Sequence, residues 1–239
     1  MVNWFWRRRN RVDAPRLRPR SQVTAASTRV DLAELTPDAL SFLGHAAYVQ
    51  LTIFENLSRV IANAPTTEAK AALSEAAARS LDTYQALVAE IEREHGDVGA
   101  AMRTDAPDID RFQRFTQGND WFESLITCYV TAGFLDDFFL RVAEGLPQPV
   151  GERVTAIFTA PRGEKQLAEL LSAAIAANPR LGARLALWGR RLVGDTMLVA
   201  RAVLRASDNH DSDEARIEPV FSEVIAGHTR RMDALGLTA

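Results

Sequence analysis

The chain is short of the residues that usually cross-link a fold or carry its chemistry. Its single cysteine, Cys128, excludes a disulfide within the chain and a cysteine-based zinc site, and fits a reducing, cytoplasmic compartment. Histidine occurs four times, and lysine so rarely that 26 of the 28 basic residues are arginine. That bias reads as the mark of a GC-rich bacterial genome and says nothing about mechanism. No run of eighteen apolar residues is present, so no transmembrane helix is expected. Trp4-Phe5-Trp6 is too short, and lies on the wrong side of the arginines, for a secretory signal. A phosphate loop, a dinucleotide fingerprint, a supportable Ser-His-Asp set and alternating strand patterns are all missing. What remains is 239 residues with 47% hydrophobic and 25% charged, the composition of one soluble domain with a sizeable core.

The net charge of -3 conceals an asymmetry. Residues 1–30 carry eight arginines against one acid, Asp13, so the body is strongly acidic. Residues 1–35 lack helical or strand periodicity and are expected to form a disordered basic arm. The simplest reading of the arm is a solvated tail. Trp4 and Trp6 beside Arg7, Arg8 and Arg9 also suit RNA, by stacking and phosphate contact, or an anionic membrane surface. A second copy of the chain, in a homo-oligomer, is a further candidate partner.

From Thr36 the pattern is helical. Thr36-Pro37-Asp38 predicts a capped start for a helix ending near Asn63, apolar round most of its circumference. A second helix is expected from Thr66 to His95, with Gly96 as its left-handed cap. After a long connection, Asn119-Asp120 caps a third helix running to Glu144. Two shorter helices follow near 149–159 and 162–177, then a long one over 180–206 and a last one near 215–235. Four long helices with a long second connection predict an all-α bundle of two antiparallel hairpins.

Polar residues on apolar faces are the informative ones. His45, Tyr48, Thr52 and Glu55 make one stripe, and Ile53-Phe54-Glu55-Asn56-Leu57 is apolar enough to predict a buried Glu55 carboxylate. Glu123 and Asp137 lie on the third helix. Arg184, Trp188, Arg191 and Asp195 form a stripe on the 180–206 helix. The simpler reading is a buried ion-pair network with Arg184, Arg190 or Arg191, and the sharper one a carboxylate-bridged metal pair. Glu92-Arg93-Glu94-His95 reads as a solvated helix end, and Gly133, Gly189 and Gly194 as sites of close helix packing.

The segments Phe54-Glu55, Asp120-Trp121-Phe122-Glu123, Tyr129-Val130, Asp137-Phe138, 184–195 (RLALWGRRLVGD) and 228–237 (HTRRMDALGL) together resemble ferritin-like proteins. Most similar are those of the non-haem di-iron tRNA hydroxylase group that acts on 2-methylthio-isopentenyl-adenosine. The resemblance implies a ferritin-like four-helix bundle over about residues 36–237, with extra C-terminal helices. It matches Glu55, Glu123 and Asp195 to metal-ligand positions and sets Tyr48, Tyr84 and Arg191 around them. It also exposes a departure: where relatives carry a second-helix glutamate and histidine, this chain has Ser80 and Thr83, and Leu198 stands three residues after Asp195. Hydroxyls are poor substitutes for a bridging carboxylate and an imidazole. The expectation is therefore a bundle with a degenerate, vestigial ligand set, no cofactor, and a binding or scaffolding role. The alternative is an iron-dependent oxygenase acting on tRNA or a small molecule.

Overall fold

The computed structural model describes residues 32–161, 163–204 and 210–238. The arm expected over 1–35 falls largely outside them, and with it Trp4, Trp6, Arg7, Arg8 and Arg9. Its last four residues do not behave as arm. Leu32–Leu35 forms one helical turn, α1, with both leucines buried, because a spacing of three puts them on one side. Thr36 closes this turn instead of opening the next helix: its hydroxyl donates to the carbonyls of Leu32 at 2.7 Å and Val142 at 3.2 Å.

Among the described residues every regular element is a helix. Asp38 caps α2 (Ala39–Ala62), accepting from the Ser41 N–H at 3.0 Å. Thr66 caps α3 (Thr67–Arg93), accepting from the Ala69 N–H at 3.1 Å. The left-handed residue after α3 is His95, with φ 60°, not Gly96. Gly96 is needed for another reason: a Cβ there would meet Leu40 and Ile91 at 3.0 Å or less. The long connection holds α4 (Val98–Arg103) and α5 (Ala106–Thr116). Then come α6 (Trp121–Ala143), capped by Asp120, α7 (Val150–Thr159) and α8 (Glu164–Ala177). Asn178 caps α9 (Pro179–Val203), and α10 spans His210–Ala234. No helix among the described residues is long and apolar enough to cross a membrane.

The packing forms two rings that share α2 and α6. One is closed by α3 and α8, the other by α5 and α9, with α10 laid on α6 and α9. The principal neighbours of α9 are thus α6 and α5, and both α7 and α8 link α3 to α6. Shared by both rings, α6 buries 16 of its 23 residues. Phe138 and Phe139 centre the core, Phe139 lying 5.7 Å from Phe42 and 5.6 Å from Phe158.

Two ion-pair clusters fasten the outer helices. Arg153 of α7 reaches Glu90 at 2.5 Å and Glu94 at 2.9 Å on α3. Arg231 of α10, only 10% exposed, lies 2.7 Å from both Asp137 of α6 and Glu164 of α8. It passes directly over Gly133, where a Cβ would overlap the guanidinium. Gly189 likewise makes room for Met232, whereas a Cβ on Gly194 would meet nothing within 4 Å. The close-packing reading therefore holds for Gly133 and Gly189 and is corrected for Gly194, which faces solvent.

The two glycines give opposite predictions. Gly133→Ala must push a doubly paired arginine out of a packed interface, and should destabilise the protein by about 1–3 kcal/mol. Gly194→Ala removes a flexible residue from an exposed helix interior and should stabilise it by up to about 1 kcal/mol. Denaturant midpoints of the two variants check both signs.

His228 of α10 is 3% exposed, and neither ring nitrogen has a hydrogen-bond partner. Burial, with the nearby Arg231 charge, pushes its pKa below the ordinary 6.5. The unfolded chain takes up this proton first, so stability falls as pH drops from about 6.5 toward the lower native value. His228→Leu should flatten that slope in urea titrations between pH 7 and pH 5.

Candidate functional site

A crevice of about 40 Å³ lies between α2, α3, α6 and α8. Ser80 and Thr83 of α3 line it together with Gln50, Tyr129 and Asp136. Gln50 Nε2 donates to Asp136 Oδ1 at 2.6 Å, and both residues are buried. The Thr83 hydroxyl donates to the Arg79 carbonyl at 3.0 Å.

The carboxylates singled out in the sequence lie elsewhere. Glu55 is exposed, its side chain 52% accessible and 3.5 Å from Arg59, which corrects the expectation of burial. The interior stripe of α2 here is Gln50, Ile53 and Leu57, and Glu55, five residues beyond Gln50, points about 140° away at a helical 100° per residue. The His45–Glu55 stripe instead begins in the core, where His45 Nδ1 lies 3.0 Å from Asp105, and emerges at the surface. Tyr48, half-buried on it, donates to Asp110 at 2.7 Å, and burial together with that carboxylate pushes its phenol up to about 12.

Glu123 is buried, but at the start of α6. Its Oε2 accepts from the backbone N–H of Asn119 at 2.9 Å and from the Asn119 side-chain amide at 2.7 Å. Its Oε1 lies 3.3 Å from Arg184, which also pairs with Asp120. Burial alone would raise the Asp120 pKa; the Glu123 N–H and Arg184 more than offset it and lower the value.

On α9 the buried stripe is Leu185, Gly189, Leu192, Thr196 and Ala200. Asp195 and Trp188 sit half-buried at its rim, Arg191 is exposed, and Leu198 is 69% exposed. Arg191 lies 5.4 Å over the Trp188 ring, whose N–H donates to Thr127 at 2.9 Å. The interior position predicted for this stripe is corrected: small and aliphatic residues take that face. Tyr84 is half-buried on α3, and Glu92 and His95 are both exposed.

Among the described residues no three His, Cys, Asp or Glu side chains come together as a metal site. Iron, the metal of the resembling hydroxylases, would need Glu55, Glu123 and Asp195 within reach of one another and of Ser80 and Thr83. The first is at the surface, the second is held by an amide and a guanidinium, and the third lies on a rim. The donor set does not fit a di-iron centre.

The interior groups that sequence reasoning missed are Gln50 and Asp136. A signal existed: Tyr129, Gly133 and Asp136 follow one another at four and three residues, a helical stripe onto the crevice. Asp137, noticed in the sequence, is the acid that binds Arg231.

A larger opening, about 400 Å³, lies where the end of α2 meets the α5–α6 turn. Its wall carries the amides of Asn56, Asn63, Gln113 and Asn119, the Arg59 side chain and the Trp121 ring. Trp121 is fixed by its N–H donating to the Val60 carbonyl at 3.0 Å. Gln113 Nε2 is buried there without a hydrogen-bond partner. The charges of the wall are matched, Arg59 by Glu55 and Asp120 by Arg184. Such a surface suits a neutral molecule rich in donors and acceptors.

Cys128 also lines this cleft but is no nucleophile. Burial pushes its thiol up to about 12, outweighing the nearby Arg59 charge. In the native protein it should resist iodoacetamide at pH 8, reacting only after denaturation. Rapid native labelling in a mass-spectrometric time course would contradict the burial.

No curated protein matches the chain. A family described as a ferritin-like domain of actinomycetes matches residues 36–213, which takes in α2 to α9 and every candidate ligand position discussed above. With an all-helical bundle in place over the same span, the chain belongs to this ferritin-like family.

Proposed function

We propose that the protein is a non-catalytic binding protein of the cytoplasm, a relative of the tRNA hydroxylase-like group whose di-iron ligand set has degenerated. The observation that carries this reading is the Gln50–Asp136 hydrogen bond in the ring where Ser80 and Thr83 stand. The carboxylates that line the crevice there are Asp136, bonded to the Gln50 amide, and Glu164, paired with Arg231, and hydroxyls stand where a further carboxylate and an imidazole would be needed to hold two irons. A crevice of about 40 Å³ has room for about one water molecule, not for a metal pair with substrate and oxygen. The cleft beside Trp121 is ten times larger and is the place we assign to a small neutral ligand. The arm, with Arg7, Arg8 and Arg9, remains a candidate for contact with RNA or an anionic membrane.

The oxygenase alternative asks Glu55, Glu123 and Asp195 to share metal across separate surfaces of the bundle, and no contact among them supports it. Metal analysis of protein purified from iron-supplemented cells separates the two readings. We expect well under one iron per chain and no oxo-bridged absorption band. Two irons per chain with that band would overturn the proposal in favour of the oxygenase. Ser80→Glu with Thr83→His and Gln50→Glu should raise iron uptake above the parent, because these three positions face one crevice. The same pair of donors placed near His95, at the exposed end of α3, should not.

A further inference from the structure

We infer that the outward face of α9 is a docking surface for an anionic lipid membrane. On a helical wheel of 100° per residue, Arg180, Arg190, Arg191 and Arg201 all lie within about 60° of Leu187. Leu198 falls within about 20° of it, and Asp195, the one acid of α9, about 80° away. All four arginines are exposed. Leu187 and Leu198 project at 66% and 69% exposure, among the most exposed large hydrophobics of the described residues. Arg190 also donates to the Thr238 carbonyl at 2.8 Å, and a fifth arginine, Arg184, contacts Asp120 and Glu123. From Arg180 to Arg201 the face runs about 30 Å at 1.5 Å per residue.

This concentration of positive charge stands on a chain whose net charge is -3, so it is a local feature and not an average property. A second copy of the chain is a poor occupant, since a two-fold contact through this face would oppose one arginine row to another. Among anionic partners the leucines discriminate. Nucleic acid is gripped by phosphate contacts and by aromatic rings that stack on bases. Here the projecting side chains are aliphatic, and the nearby Trp188 ring is already covered by Arg191 with its N–H tied to Thr127. An arginine row with leucines rising between its members is the pattern of a helix lying in the headgroup layer, aliphatic tips inserted and guanidinium groups on lipid phosphate. Gly194, on the same face, leaves a flat stretch between the leucines.

The test is co-sedimentation of the full chain with vesicles of phosphatidylcholine containing phosphatidylglycerol, and with phosphatidylcholine alone, at two salt concentrations. The parent should partition onto the anionic vesicles only, less so at high salt. Leu187→Gln with Leu198→Gln should lower that partition at least tenfold while leaving its salt dependence in place. Arg180→Glu with Arg191→Glu should lower it and flatten the salt dependence. Both pairs are exposed, so unchanged circular dichroism melts certify the fold. Partition that survives replacing Arg7, Arg8 and Arg9 with alanine, but not the α9 changes, supports the inference. Absence of binding to anionic vesicles, or binding lost only with the arm arginines, overturns it. Retention of total tRNA that falls with the arginine pair and ignores the leucine pair would overturn it in favour of RNA.

Discussion

Helix α6 has almost no face of its own toward water, and that constraint organises the molecule. With two rings sharing it, each polar group along α6 must find its partner on a neighbouring helix, because an unanswered buried charge costs several kcal/mol. Near its start Glu123 is met by Asn119 and by Arg184 of α9. One turn on, Thr127 accepts from Trp188. Farther along, Asp136 is met by Gln50 of α2, and Asp137 by Arg231 of α10. Helices α2, α9 and α10 thus each arrive with a side chain that satisfies one of its polar groups. The hydrophobic contacts supply bulk stabilisation, and these pairs fix which helix sits where.

The same arrangement bears on chemistry. A carboxylate can hold a metal only with lone pairs left over from structural work. Glu123 accepts from an amide, a backbone N–H and a guanidinium, and Glu55 has turned outward to Arg59. The ferritin-like scaffold is retained while its polar groups are directed at holding helices together. The geometric reason is visible in the rings: α9, which carries Asp195, packs on α6, α5 and α8, whereas Ser80 and Thr83 stand on α3 in the other ring.

Much of the fold was legible in the sequence because helix ends announce themselves chemically. Thr66 and Asp120 each cap the helix they were expected to open. The errors came where two roles competed for one residue. Thr36 looked like a cap and is one, but for the turn before it rather than the helix after it. Gly96 looked like the left-handed residue, yet His95 takes that conformation and Gly96 is reserved for contact with Leu40. Glu55 was misread because apolar neighbours in sequence were equated with burial. On a helix the residues three and four away share a face, and the adjacent ones do not. Asp136 and Asp137 show the limit of that rule: on a helix buried all round, periodicity ceases to say which acid points at which neighbour.

Charge placement obeys a simpler logic. A body in which acids outnumber basic residues would repel the anionic surfaces of a cell. Arginines collected on one helix face therefore act as an oriented patch, because at physiological salt a charge is felt over only about 8 Å. The arginines that pair between helices behave differently: Arg184 and Arg231 each contact two carboxylates. One residue type therefore serves two ends, set by position alone. Paired between helices, an arginine closes the bundle; exposed along an outer face, it gives the bundle a side on which to be approached.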